Sequence, residues 1–74
     1  MKKWISVHVR NIKPGDIVRV RENAYKGSTG AIHNGRMCEV LKIKNGDVVV
    51  KSIDGKLPQL TETYHPPTAL EKEA

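Results

Sequence analysis

Phenylalanine is absent from this chain, and only three residues are aromatic: Trp4, Tyr25 and Tyr64. A core without phenylalanine has to come from valine, isoleucine and leucine. The β-branched members of that set are stiff at χ1 and fit a pleated strand surface. Cysteine is nearly absent too. Cys38 stands alone, so no internal disulfide can staple the fold, and the thiol reads as a small buried hydrophobe in a reducing compartment. No apolar run approaches the roughly 20 residues that span a bilayer. The stretch Met1–His8 begins with charge but lacks the apolar core of a signal peptide. The expectation is a cytoplasmic protein with no membrane contact. Closely spaced Cys and His pairs, the usual mark of a zinc site, are missing. So is the Gly-rich loop ending in Lys-Ser or Lys-Thr that cradles nucleotide phosphates. His8, His33 and His65 lie far apart, and Gly27 and Gly30 read as an ordinary turn rather than a phosphate cradle. These absences argue against an enzyme and against any cofactor or metal, and leave a binding module.

What is present is charge, and it is uneven. The formal net charge is +5. Residues 1–56 carry 12 Lys or Arg against 5 Asp or Glu, whereas residues 57–74 carry 1 against 3. The basic part coincides with the strand-like part. A positive field on a compact body attracts nucleic acid, acidic proteins or anionic surfaces. With 74 residues there is room for one domain, and a domain of this size buries only about 60% of the surface its unfolded chain exposes.

Along the chain, Ile5, Val7 and Val9 alternate with polar neighbours, the period-two mark of a strand with one buried face. Ile12-Lys13-Pro14-Gly15-Asp16 reads as a turn. In Ile17–Arg21, Val18 and Val20 point one way while Ile17, Arg19 and Arg21 point the other. Residues 22–36 carry no strong period and read as a long surface loop, a length that is often functional. Met37–Lys44 and Asp47–Ile53 are strand-like on either side of Asn45-Gly46, a strong hairpin signal because a type I′ turn needs positive φ at both central residues. Leu57–Leu60 reads as a short edge strand, where Pro58 is tolerated. The expected organisation is a barrel over residues 1–64 and a tail over 65–74. In the tail Thr68 caps a short helix with Glu71 reaching back, and residues 71–74 fray. Four to five short strands joined by tight turns predict an all-β small barrel, which also removes exposed sheet edges.

The stretch Gly15-Asp16-Ile17-Val18-Arg19-Val20 resembles the opening of a KOW motif, the small SH3-like barrel unit of transcription elongation factors and some ribosomal proteins. Lys26-Gly27-Ser28-Thr29-Gly30-Ala31-Ile32 is similar to its continuation and falls at the right distance, with Tyr25 where the family often has an aromatic. The resemblance covers roughly residues 15–32 and extends loosely to 53. Residues 35–43 also resemble the second barrel strand, with Cys38 in place of a glycine. The two registers exclude each other. The second leads directly into the Asn45-Gly46 hairpin and is preferred, which makes residues 22–36 the loop between the first two barrel strands. The resemblance implies an SH3-like barrel that binds RNA, DNA or a protein of the transcription or translation machinery; the short C-terminal helical turn is read from the Thr68–Glu71 pattern alone.

The candidate binding residues are basic. Arg19 and Arg21 share a strand face, and Lys26, Arg36, Lys42, Lys44 and Lys51 join them if their strands are neighbours. Such a face neutralises phosphates, with Tyr25 or Trp4 for base stacking. Trp4 also reads as a lid over the barrel end. The leading expectation is a nucleic-acid- or ribonucleoprotein-associated module. Its alternatives are an adaptor gripping an acidic protein partner, of the kind a phage accessory regulator represents, and a small subunit whose edge strand completes another protein's sheet.

Overall fold

Valine dominates the strands, and the fold follows where the valines face. The structure, a computed structural model, describes residues 3–27, 31–55 and 61–73. Its strands are β1 (Trp4–Ser6), β2 (Ile17–Val20), β3 (Met37–Lys44), β4 (Asp47–Ser52), β5 (Thr63–His65) and β6 (Leu70–Glu73). They make one antiparallel sheet in the order β1-β6-β2-β3-β4-β5. The only helical pieces among the described residues are 3-10 turns at Ala31–His33 and Pro67–Ala69. The domain is all-β and barrel-like. Val18 and Val20 of β2, Cys38 and Val40 of β3, Val48 and Val50 of β4 and Leu70 of β6 meet in the core, with Val7 and Ile12 from the segment between β1 and β2. No helix among the described residues is long and apolar enough to cross a membrane.

The β3–β4 hairpin turns at Asn45 and Gly46 with φ of 52° and 82°, the two positive values that the Asn-Gly pair predicts. β2 pairs with β3, Val18 opposite Cys38, so residues 21–36 are the loop between those neighbours, in the register preferred from sequence. That loop is tied at its base by bonds between Val20 and Arg36 and between Gly35 and Val20. Gly15, at φ 95°, lets the chain turn into β2 while its N–H reaches the Val40 carbonyl at 2.8 Å.

Within β3 the register with β4 shifts between Val40 and Lys42. Before the shift Val40 opposes Val50 on the core face; after it Lys42 opposes Val49 on the other face. Strict alternation from Cys38 and Val40 would aim Lys42 into the core. The extra residue, Leu41, reverses the parity and sends Lys42 and Lys44 outward.

Three expectations are corrected. The apolar alternation at Ile5, Val7 and Val9 is not one strand: β1 ends at Ser6, Val7 is buried, and Ile5 and Val9 are exposed. The Asn11 side chain accepts from the His8 N–H and donates to the Ser6 carbonyl, which bends the chain out of the sheet there. The tail does not form a capped helix. A single 3-10 turn spans Pro67–Ala69, its N-cap is Pro66 without a side-chain cap, and Leu70 is already extended at φ −115°, ψ 157°. One isolated helical turn fixes several residues for one hydrogen bond, whereas Leu70–Glu73 gains two strand neighbours and buries Leu70 fully. For the same reason Glu71–Glu73 is not a frayed end: β6 lies between β1 and β2. Both β6 and β5 (Thr63–His65) are strands that the sequence reading did not expect. The edge strand expected over 57–60 lies outside the described residues.

Leu70→Ala should therefore cost about 2–5 kcal/mol in urea unfolding, the range for a fully buried leucine. A loss below about 0.5 kcal/mol, as at an uninvolved surface position, would contradict a core strand at the C-terminus.

Candidate nucleic-acid interface

The arginines expected to face a ligand are occupied inside the protein. Register places Arg19 beside Glu71, and the two are ion-paired and hydrogen-bonded. Glu71 also lies 3.6 Å from Arg21, whose guanidinium donates to the Thr68 carbonyl and to Ser6 Oγ. The Arg19 guanidinium stacks 4.2 Å from the Trp4 ring centroid, so Trp4 is neither a lid over the core nor a free stacking platform. Arg36 is 4% exposed and makes a two-pronged contact with Asp54 at 2.8 and 3.0 Å. It organises the start of β3 instead of meeting solvent. The Asp54 carboxylate also accepts the Met37 N–H, at 3.3 Å. The thiol of Cys38 next to it is pushed up to about 11 by burial and by Asp54, which leaves it a protonated packing group.

Tyr25 turns inward as well. It packs against the core, and its hydroxyl meets Nδ1 of His65 at 2.5 Å. His33 completes a ring cluster, with centroids 5.8 Å from Tyr25 and 5.1 Å from His65. Burial raises the Tyr25 pKa and, with His33 nearby, pushes His65 down to about 4. His33 is itself lowered by burial and by Arg36. A protonated tyrosine hydroxyl donates to Nδ1, so neutral His65 carries its proton on Nε2. That atom is buried without a hydrogen-bond partner among the described residues, and the His33 ring packs against the His65 ring in a T-shaped contact. Asn34 holds the loop against this cluster through two bonds to the Tyr25 backbone.

Lys26, Lys42 and Lys44 are exposed. Lys26 sits on the loop, apart from the strand rows. Lys42 and Lys44 stand on the face of β3 opposite the core valines because of the bulge at Leu41, a face on which Val49 of β4 is itself fully buried. Register adds a residue that sequence reading passed over. Lys42 opposes Val49, and Val49 opposes Tyr64, so Lys42 and Tyr64 flank one row on that face. Tyr64 is 49% exposed, and its hydroxyl donates to the Glu62 carboxylate. Lys51, two residues on from Val49, shares the face and lies 3.9 Å from Glu39. The missed signal was in the alternation of Thr63-Tyr64-His65, which puts a tyrosine outside when His65 is inside.

Among the described residues no group of three or more His, Cys, Asp or Glu side chains is placed to hold a metal ion. No protein-family model matches the chain, and neither a curated protein nor a solved structure matches it.

The buried cluster sets a pH dependence. His65 is neutral in the fold down to about 4, whereas in the unfolded chain it takes up a proton near 6.5. The unfolded state then binds more protons, so stability falls as pH drops from 6.5 toward 4, by roughly 3 kcal/mol at most. Urea midpoints across that range should show the loss. His65→Gln, which carries no titrating group, should have a flatter profile; an unchanged slope would remove His65 as the cause.

Proposed function

We propose that this chain is a non-enzymatic, nucleic-acid-binding module of the SH3-like, KOW-type barrel class, and that it engages a strand through the face of β3, β4 and β5 opposite the core valines. The observation that carries the reading is the row in which exposed Tyr64 and Lys42 flank Val49, with Lys44 two residues further along β3. Such a face combines the two elements of single-strand recognition: a π-surface that stacks on a base, and cations spaced along a sheet to meet successive phosphates. Neither Lys42 nor Lys44 has a carboxylate within ion-pair distance among the described residues, in contrast to Arg19, Arg21 and Arg36. The strand order, with a 3-10 turn leading into a terminal strand that pairs beside β2, supports the barrel class. A single buried thiol suits a reducing compartment such as the cytoplasm. The partner is RNA or DNA, free or within the transcription or translation machinery.

Fluorescence titration of short RNA and DNA at several salt concentrations tests this. Tyr64→Ala should weaken binding by roughly 1–3 kcal/mol and leave the salt slope nearly unchanged. Lys42→Ala with Lys44→Ala should flatten the slope by up to about two phosphate contacts. Arg19→Ala with Arg21→Ala should instead lower the melting temperature, because Glu71 is left buried without its cations. If the wild-type chain binds neither polymer at low salt, the nucleic-acid reading fails and an acidic protein partner replaces it.

A further inference from the structure

The segment between β1 and β2 folds back on itself and builds a concave site at the end of the barrel. Ile12 is buried and anchors it. Backbone bonds close it from Asn11 to His8 at 3.0 Å and from Asp16 to Lys13 at 3.1 Å. The Asp16 carboxylate accepts the Lys13 N–H at 3.0 Å. From the sheet side Lys72 of β6, whose register partners are Ile5 and Val18, extends its ammonium to the Asn11 carbonyl at 2.6 Å. The resulting shallow, solvent-open depression has a volume of about 420 Å³ and is lined by Arg10, Asn11, Ile12, Lys13, Asp16 and Lys72.

Three residues with cationic side chains, Arg10, Lys13 and Lys72, thus line it from two segments of the chain. None has a carboxylate within ion-pair distance among the described residues, and the one carboxylate present, Asp16, caps the backbone of Lys13. Elsewhere this fold is careful with its arginines: Arg19 and Arg21 share Glu71, and Arg36 holds Asp54. Three cationic residues lining one site with a single carboxylate leave a positive excess there, which an anion between them would offset. Lys72 spends one of its ammonium N–H groups on Asn11 and keeps two others for a ligand. Arg10 adds the planar fork that suits a tetrahedral oxyanion.

We propose that this depression is a phosphate-binding site, and that it takes a phosphate of the nucleic-acid strand, either a backbone diester or a terminal monoester. The source of the phosphate rests on the nucleic-acid reading above; the site itself does not, because it shares no residue with the Tyr64 face. A strand that stacks on Tyr64 and a phosphate held at the barrel end are two separate anchors on one small domain.

The test is a ¹⁵N NMR titration of the full chain at constant ionic strength with three probes: inorganic phosphate, and a short oligonucleotide with either a 5′-phosphate or a 5′-hydroxyl. Inorganic phosphate should shift the amides of residues 10–16 and of Lys72 in a saturable way that chloride does not reproduce. Arg10→Ala with Lys13→Ala should keep the folded spectrum, since both side chains are exposed, and should weaken phosphate binding about tenfold or more. Tyr64→Ala should leave phosphate affinity unchanged. Tighter binding of the 5′-phosphorylated oligonucleotide, lost in the double variant, identifies a terminal monoester. Equal binding of both oligonucleotides, weakened in the double variant, identifies the backbone. Shifts that chloride reproduces, or that persist in the double variant, overturn the site. Phosphate binding with no response to either oligonucleotide overturns its assignment to a nucleic-acid strand.

Discussion

The insertion of β6 between β1 and β2 is the constraint on which the rest depends. Leu70 fills the core from this strand, and Glu71 beside it neutralises Arg19 and Arg21 across the β2 ladder. Without it β1 would have no described strand to pair with, since its only partner in the sheet is β6. Lys72, next in sequence, ties the β1–β2 segment down through the Asn11 carbonyl. Three successive residues therefore supply the hydrophobic anchor, the counter-charge and the clasp. In a domain this small, where marginal burial leaves little reserve, concentrating those tasks in one strand makes the C-terminal segment integral to the fold.

That strand also redistributes the charge. Read as a whole, the chain has a surplus of cations, but they fall into two populations. One is consumed internally: Arg19 and Arg21 by Glu71, Arg36 by Asp54, and Lys51 partly by Glu39. The other has no carboxylate within ion-pair distance among the described residues: Lys42 and Lys44 on β3, and Arg10, Lys13 and Lys72 around the depression. The arginines most suggestive in sequence belong mainly to the first population. A guanidinium with several fixed donors is a good structural clamp, and this fold uses three of its four in that way. The exposed Arg10, Lys13, Lys42 and Lys44 carry the outward positive field.

The interior shows a parallel economy with aromatics. Only three exist, and each has a distinct setting: Trp4 lies beneath the Arg19 guanidinium, Tyr25 closes over the His65 ring, and Tyr64 stands in solvent. A neutral, buried His65 satisfied at one nitrogen by Tyr25 joins the loop of residues 21–36 to the sheet. The loop is thereby part of the folded body at its Tyr25 end, which is why its aromatic is withdrawn from the surface.

Local chemistry written in the sequence determined the all-β character, the Asn45-Gly46 turn, the inward Val18 and Val20 and the loop between β2 and β3, because each rests on period two or on a residue that tolerates positive φ. The exposure of Lys42 and Lys44 was also legible, in the parity change from Cys38 and Val40 to Leu41 and Ile43, once a bulge is allowed for. Other features depended on partners distant along the chain. Leu70–Glu73 is polar enough to look like a fraying end, and only its place between two strands turns it into core structure. Glu71 meets Arg19 across 52 residues, and Tyr64 joins Lys42 only through the β4 register. Arg10, Lys13 and Lys72 line one depression because a turn and the last strand close on the same barrel end. A strand's hydrogen bonds and a charge's counter-ion are chosen by proximity in space, and in an antiparallel sheet that proximity is decided by the order of strands and their register, which no local window of residues contains.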